Sequence, residues 1–492
     1  MLLYLNIVCS NRVSPMQKPA NIFGRSEEWN ALVEFAADGP PGPLRLGLVY
    51  GRRRQGKSML TSELADAVGG FHWEAIDTEP ADNLAELSRA WATYTGAAGL
   101  SRFESWDDAL RTILAADGRS HLVVLDEIQR VIGRLPTFPS LIQRIIGPPG
   151  LGDRTERTRL LLCGSAFGDM RRLIDGRAPL RGRAMIDLVV RPFDFRVAAD
   201  YWGLTANPIA AFRLHSIVGG TPAYRVLAGH DYPTDGDIDG WVQRRLLSQQ
   251  SSLFREGRIV LQEDAQLGDR RLYWGLLAAV ATGARRWSDL EQVLGASAGA
   301  LQHAIQVMID AGWLEKIGDP LRKNRFVYEL TEPMVRFQRI VVERNEARLL
   351  RGQAKAVWTD TRPEIATMIH GPHAEHLARE WILSYANNST MGGIVHDVGP
   401  SEVAGVGQID LVGVEATAVG GRRPVFVGEV KATAARTGVQ VLERLDAAAA
   451  KIDPKVMRLI VSISGFTSDL ERAAAKRGDV QLIDAHRLYH GS

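Results

Sequence analysis

Short blocks of apolar residues, separated by polar or glycine-rich turns, set the rhythm of the first 190 or so positions. Leu46-Gly47-Leu48-Val49-Tyr50, Leu122-Val123-Val124-Leu125 and Leu160-Leu161-Leu162-Cys163 are continuous apolar runs, the pattern of strands covered on both faces. The intervals carry helical spacing, as in Met59-Leu60-Thr61-Ser62-Glu63-Leu64-Ala65. Strand and helix patterns that alternate in this way predict a parallel sheet wrapped by helices. From residue 195 to about 265 the spacing is helical, with few strands. Residues 272–280, 287–295 and 297–311 then read as three helices, the second ended by Gly295. Residues 312–317 and 325–330 come next as two short strands, so this stretch predicts three helices and a wing, a winged helix-turn-helix. Further strands are expected at 408–412, 425–431, 459–463 and 480–483.

The first apolar run leads straight into Gly51-Arg52-Arg53-Arg54-Gln55-Gly56-Lys57-Ser58, the pattern G-x-x-x-x-G-K-[ST] between a strand and a helix. A chain that turns through glycines into a helix aims backbone N–H groups, and the positive end of the helix dipole, at a phosphate chain. Lys57 is expected at the β- and γ-phosphates of ATP, and the Ser58 hydroxyl at Mg²⁺. The second run ends in Asp126-Glu127, two carboxylates delivered to the edge of the sheet. Asp126 suits a Mg²⁺ contact through water, and Glu127 suits the orientation or deprotonation of an attacking water. The third run ends in Ser165, a small polar residue placed to sense a γ-phosphate.

Composition changes little in this picture. The 492 residues leave room for three or four domains, and 45% hydrophobic with 24% charged residues is an ordinary globular balance. A net charge of +2 gives no global field for nucleic acid, so any such surface must be local. Cys9 and Cys163 are the two cysteines, which rules out a disulfide framework and fits the cytoplasm. No apolar run reaches the roughly 18 residues of a membrane helix. The apolar start, residues 1–15, reads as a disordered leader, with Met16 as an alternative start to Met1.

A second constellation lies near the C-terminus. Asp410 sits in Gln408-Ile409-Asp410-Leu411-Val412, and Glu429 and Lys431 sit in Val427-Gly428-Glu429-Val430-Lys431. Residues two apart on a strand share one face, so Glu429 and Lys431 leave together. Asp, Glu and Lys grouped in this way can hold Mg²⁺ or Mn²⁺ and help activate water. That is the pattern of the PD-(D/E)xK nuclease fold, which often adds an upstream helical Glu, here Glu375. The opposing reading is a solvated strand face.

Several further boxes carry a family resemblance. They are Phe23-Gly24-Arg25 before the phosphate loop, Cys163-Gly164-Ser165-Ala166-Phe167-Gly168-Asp169-Met170, Ala178-Pro179-Leu180-Arg181-Gly182-Arg183 and Gly219-Gly220-Thr221-Pro222-Ala223-Tyr224. With the phosphate loop and the terminal Asp410, Glu429 and Lys431, they resemble the prokaryotic ATPases, abundant in archaea and also found in bacteria, that join a AAA+/STAND-related P-loop domain to a C-terminal nuclease-like domain. Gln408 departs from the pattern, where the family more often has Glu before Ile-Asp. The resemblance implies ATP binding and hydrolysis, with Phe23, Gly24 and Arg25 bordering the adenine. It also offers Arg183 as an arginine finger on the γ-phosphate, in cis or from a neighbour, with a structural salt bridge as the other reading.

The expected organisation is therefore an α/β multidomain chain: leader 1–15, P-loop core 16–194, helical lid 195–267, winged helix 268–345, linker 346–370 and nuclease-like domain 371–492. ATP with Mg²⁺ is expected between sheet and lid, with lid closure repositioning the winged helix and the terminal domain. The winged helix has two open readings. Its third helix carries Gln302, His303 and Gln306 but no Arg or Lys, while the wing tip Arg322-Lys323-Asn324-Arg325 is basic. DNA binding and a packing role both fit. The expected partners are ATP, DNA, and a protein partner or further copies of the chain. The expected function is ATP hydrolysis that drives or gates a DNA-associated nuclease-like effector. The rival is an ATP-dependent switch without turnover, whose terminal domain only binds protein or DNA.

Overall fold

A computed structural model describes residues 16–37, 44–97, 102–115, 121–147, 158–165, 167–174, 176, 178–234, 236–262, 270–417 and 420–492. The expected leader 1–15 with Cys9, the loop 38–43, Ala166 and the end of the expected lid, 263–267, lie outside the described residues. The chain divides into two compact units, Met1–Arg191 and Pro192–Ser492.

In the first unit, strands β1 (Arg45–Tyr50), β2 (Phe71–Glu74), β3 (Leu122–Asp126), β4 (Arg159–Gly164) and β5 (Ala184–Val189) form a sheet in the order β2-β3-β4-β1-β5. Every pairing in it is parallel. Alternation along each strand explains the continuous apolar runs. Leu46, Leu48, Leu125, Leu160 and Leu162 pack to one side with Trp106 and Phe138. Val49, Val124, Leu161 and Cys163 pack to the other with Trp29, Leu60 and Leu64. Because β1, β4 and β3 are neighbours paired in parallel, their carboxyl ends share one edge, where open α/β sheets bind ligands.

The second unit begins with helices, among them Phe195–Trp202, Pro208–Val218 and Ile238–Arg245. Helices Arg270–Ala281, Trp287–Leu294 and Ala298–Asp310 come next, then β6 (Leu314–Gly318) and β7 (Phe326–Leu330), paired antiparallel. Gly295 in the left-handed region ends the second helix, and the Ser297 side chain caps the third. Leu276, Leu290, Leu301, Met308, Trp313 and Tyr328 share one core. The last part is a mixed sheet of β8 (Asp397–Val403), β9 (Gly407–Ala416), β10 (Arg422–Lys431), β11 (Met457–Ser462) and β12 (Val480–Asp484), in the order β12-β11-β10-β9-β8. Strands β8, β9 and β10 pair antiparallel, and β10, β11 and β12 pair parallel.

One face of this sheet packs Val412, Val427 and Ile460 on Leu445 and Leu470 of the crossover helices Gln440–Ile452 and Ser468–Ala475. The other face packs Leu411, Phe426 and Val461 on Leu377 and Trp381 of helix Gly371–Ser384. That second core is continuous with Phe212 and Trp241 of the early helices. Residues 346–370, expected as a linker, are instead largely helical and bury Val357, Trp358, Ile365 and Ile369 in the same core. Among the described residues, no helix is long and apolar enough to cross a membrane.

Candidate functional site

The phosphate loop starts where β1 ends. Gly51 has φ 153°, and a Cβ there would stand 2.2 Å from the Val190 carbonyl oxygen, so the loop can leave the sheet at that point only with glycine. Gly56, at φ 87°, turns the chain into helix Lys57–Val68. Lys57 is buried, and its Nζ donates to the Arg52 carbonyl at 2.8 Å, holding the loop curled over the helix start. Burial pushes the Lys57 pKa down, while the nearby Cys163, Glu127 and Asp126 work against that shift. Ser58 comes next, exposed at the mouth of the loop. Arg25 joins the upstream box to the loop: its Nη2 donates to the Gln55 carbonyl at 3.1 Å and its Nη1 to Glu28 Oε1 at 2.8 Å. Phe23 and Gly24 are half-buried just before it.

The two carboxylates at the end of β3 have different surroundings. Asp126 is fully buried, and its Oδ1 accepts from the Glu127 backbone at 2.7 Å. Its Oδ2 has no hydrogen-bond partner among the described residues, and His72 Nε2 lies 3.8 Å away. A buried carboxylate oxygen without a donor is costly. A divalent cation would satisfy it, so Asp126 and Ser58 fit Mg²⁺. Cys163 lies close by, and burial, then the Asp126 charge, pushes its thiol well up, which keeps it neutral.

Glu127 takes φ 51°, a left-handed backbone that few non-glycine residues adopt. Its Oε2 accepts from Gln129 Nε2 at 2.7 Å and from Ser165 Oγ at 3.1 Å. Gln129 also donates to Ser165 Oγ at 3.0 Å, which closes a three-residue ring across β3 and β4. Arg130 Nη2 and Arg53 Nη2 approach the same Oε2 at 3.5 and 4.0 Å. Gly164 makes the space: a Cβ there would stand 2.5 Å from Gln129 Oε1 and 2.6 Å from Met170 Sδ. Sequence reasoning placed Ser165 near the γ-phosphate and missed Gln129, whose role depends on a contact across 36 positions.

Arg183 does not join this cluster. It is exposed and immediately precedes β5, whose first residue, Ala184, pairs with Leu46 at the opposite end of β1 from the loop. Five residues of strand separate the two edges, roughly 17 Å. A γ-phosphate contact in cis is therefore out of reach, because a parallel partner strand puts its start at the far edge.

The second unit brings Asp410 on β9 together with Glu429 and Lys431 on β10. Asp410 Oδ2 accepts from the Val430 backbone at 3.0 Å. Glu429 is buried, and its Oε1 receives both Lys431 Nζ and Arg444 Nη1 at 2.7 Å. Its Oε2 is buried without a hydrogen-bond partner. Burial, then the charges of Glu429 and Glu375, push Asp410 up to about 7. A cation would satisfy the orphaned Glu429 oxygen beside a carboxyl group raised mainly by burial and further by like charge. Glu375, however, turns to Arg285, whose Nη1 donates to its Oε2 at 3.0 Å. Among the described residues, no three His, Cys, Asp or Glu side chains are grouped so as to hold a metal ion. Gln408 offers its backbone oxygen to Arg444. Arg285 and Arg444 carried no sequence signal, since each acts through residues distant in the chain.

No family model matches this chain, and no curated protein sequence does. Solved structures similar to it include the Walker-type ATPase PABY2304 of Pyrococcus abyssi, 20% identical over 66% of this chain and 97% of that one, with a TM-score of 0.49. The ORC2 protein of Aeropyrum pernix in its ADPNP-ADP complexes is 13% identical over 68% and 94% of the two chains, with a TM-score of 0.39. The CDC6P protein of Pyrobaculum aerophilum is 13% identical over 70% and 97%, with a TM-score of 0.35.

Proposed function

We propose that the first unit binds ATP with Mg²⁺ and hydrolyses it. The observation that carries this reading is the pairing of two unlike carboxylates at one sheet edge. Asp126 is buried with an oxygen lacking a donor, and Glu127 is held in a left-handed turn by Gln129 and Ser165. Backbone N–H groups from Gly51 to Ser58 would cradle the phosphates, Lys57 would neutralise the β- and γ-oxygens, and Phe23, Gly24 and Arg25 would border the base. Ser58 and Asp126 would hold Mg²⁺, which would neutralise charge on the β- and γ-phosphates. Glu127 accepts a hydrogen bond from the attacking water and orients it, while Ser165 and Gln129 keep the Glu127 carboxylate aimed. Arg183, at the far edge, would serve as a finger only for a neighbouring copy. The test is phosphate release from ATP, with Glu127→Gln as the control. A parent protein that releases phosphate no faster than Glu127→Gln would end the hydrolysis reading.

The second unit fits a winged helix joined to a PD-(D/E)xK-like domain, with Asp410 and Glu429 as cation ligands and Lys431 near a scissile DNA phosphate. Glu375 would assist once separated from Arg285. That ion pair favours a gated site, or else the second reading, an ATP-dependent switch whose terminal domain binds without cutting. For the winged helix, coupling has the better support. Gly399 on β8 lies so close to β6 that a Cβ on it would stand 2.3 Å from the Gly318 carbonyl, and Arg422 Nη1 donates to the Pro320 carbonyl at 3.3 Å. Lys323 and Arg325 stay exposed at the tip, which leaves phosphate contacts open to them. Release of labelled fragments from DNA with ATP and Mn²⁺, compared in parent and Lys431→Ala, separates cutting from binding.

A further inference from the structure

Arg336, on helix Pro333–Phe337, is a buried guanidinium with too few partners. It makes no ion pair among the described residues, and its side-chain hydrogen bond there is one long contact from Nη2 to the Leu330 carbonyl, 3.3 Å. The neighbouring ion pairs do not compensate it. Arg285 and Arg379 both bind Glu329, and Arg285 also binds Glu375. Glu329 and Glu375 are thus engaged by Arg285 and Arg379, and neither forms an ion pair with Arg336. Arg379 Nη1 is also buried without a partner. Burial, then the charge of Arg285, lowers the Arg336 pKa to about 10, with the Glu375 charge working against the shift.

Arg336 and Arg285 open into a pocket whose other walls include Val280, Tyr328, Met368 and Pro372. Glu329 lines it too, already held by Arg285 and Arg379. An apolar pocket with a few convergent polar groups is the usual form of a small-molecule site. We propose that this pocket binds a small organic oxyanion: one carboxylate or phosphate group on Arg336 and Arg285, with an apolar body against Tyr328, Met368 and Pro372. Such a ligand supplies the ion pair that Arg336 lacks among the described residues, and a guanidinium fork meets either oxyanion in two parallel hydrogen bonds. It would also compete with Glu375 for Arg285. The site would bind whether or not the terminal carboxylates cut a substrate.

The test uses full-length protein carrying Lys57→Ala, so that the phosphate loop does not answer for the pocket. Melting is followed against benzoate and against phenyl phosphate, with ionic strength matched by chloride. A saturable rise of roughly 2–4 °C is expected with at least one probe. Benzoate alone would assign the carboxylate class, phenyl phosphate alone the phosphate class, and both the shared oxyanion chemistry. Arg336→Met should lose the response and melt no lower than its parent without ligand, because it removes an unpaired buried charge. Met368→Glu, at a half-buried wall position, supplies an internal anion and should lose the response as well. No saturable rise with either probe, or an equal rise in both variants, overturns the proposal.

Discussion

Gln129 Nε2 donates to Glu127 Oε2 at 2.7 Å, and the two residues share Ser165 as a third member of the ring. A carboxylate that must aim a water molecule works only in a narrow range of orientations, and its neighbours set that range. Gln129→Ala should therefore lower kcat for ATP by roughly 10-fold while leaving the ATP Kd within a factor of about two. Single-turnover rates beside equilibrium titration measure the split. Equal losses in both would mark Gln129 as a packing residue instead.

Lys57 and Glu127 should fail in opposite ways. Lys57→Ala removes the buried ammonium, together with its bond to the Arg52 carbonyl, and should weaken ATP binding by at least ~100-fold. Glu127→Gln keeps the loop and Asp126, so it should bind ATP normally and turn over at least ~100-fold more slowly. Calorimetric titration of both variants checks the pair. Parent-like ATP binding by Lys57→Ala would remove the phosphate site from this loop.

Legibility tracked contact range. The strand-loop-helix around Gly51 and the carboxylates at the end of β3 could be read because each is a local pattern. The helices at Arg270–Ala281, Trp287–Leu294 and Ala298–Asp310 could be read because their caps and apolar spacing lie within a dozen residues. The ring through Gln129 could not, since it needs β3 and β4 side by side. Nor could the partner of Glu375, which lies 90 positions away at Arg285. The helices within 346–370 were hidden for another reason: their buried residues Leu349, Val357, Trp358, Ile365 and Ile369 are spread over several short helical segments, so no long stripe stands out.

The wing tip gives a test of the DNA reading. Lys323 and Arg325 are exposed beyond Leu321, which packs against the terminal core. Each phosphate contact contributes about 0.9 to the slope of log affinity against log salt. Charge reversal at Lys323 and Arg325 should lower that slope by roughly 2 if both meet phosphates. An unchanged slope, measured by fluorescence anisotropy on duplex DNA, would leave the wing as a coupling element against β8.

Asp410 ties the terminal site to pH. Its folded pKa, about 7, is raised above an ordinary aspartate near 3.9, with burial as the main cause and Glu429 and Glu375 adding to it. Because the folded state favours the protonated form, its relative stability is full below the ordinary value and is lost as pH rises through about 7. Asp410→Asn cannot ionise and escapes that loss. The variant should thus exceed the parent in stability by more than ~1 kcal/mol at pH 8, with the difference shrinking towards pH 4. Mn²⁺ should reverse the order, since a cation between Asp410 and Glu429 favours the ionised form of Asp410 and grows in effect as pH rises. Any Mn²⁺ at the phosphate loop acts equally on both proteins and cancels in the comparison. Melting curves of the full chain from pH 4 to 9, with and without Mn²⁺, measure all of this. If Mn²⁺ stabilises Asp410→Asn as much as the parent at pH 8, the carboxylates of β9 and β10 are not a cation site, and Glu429 with Lys431 and Arg444 is a buried structural ion pair.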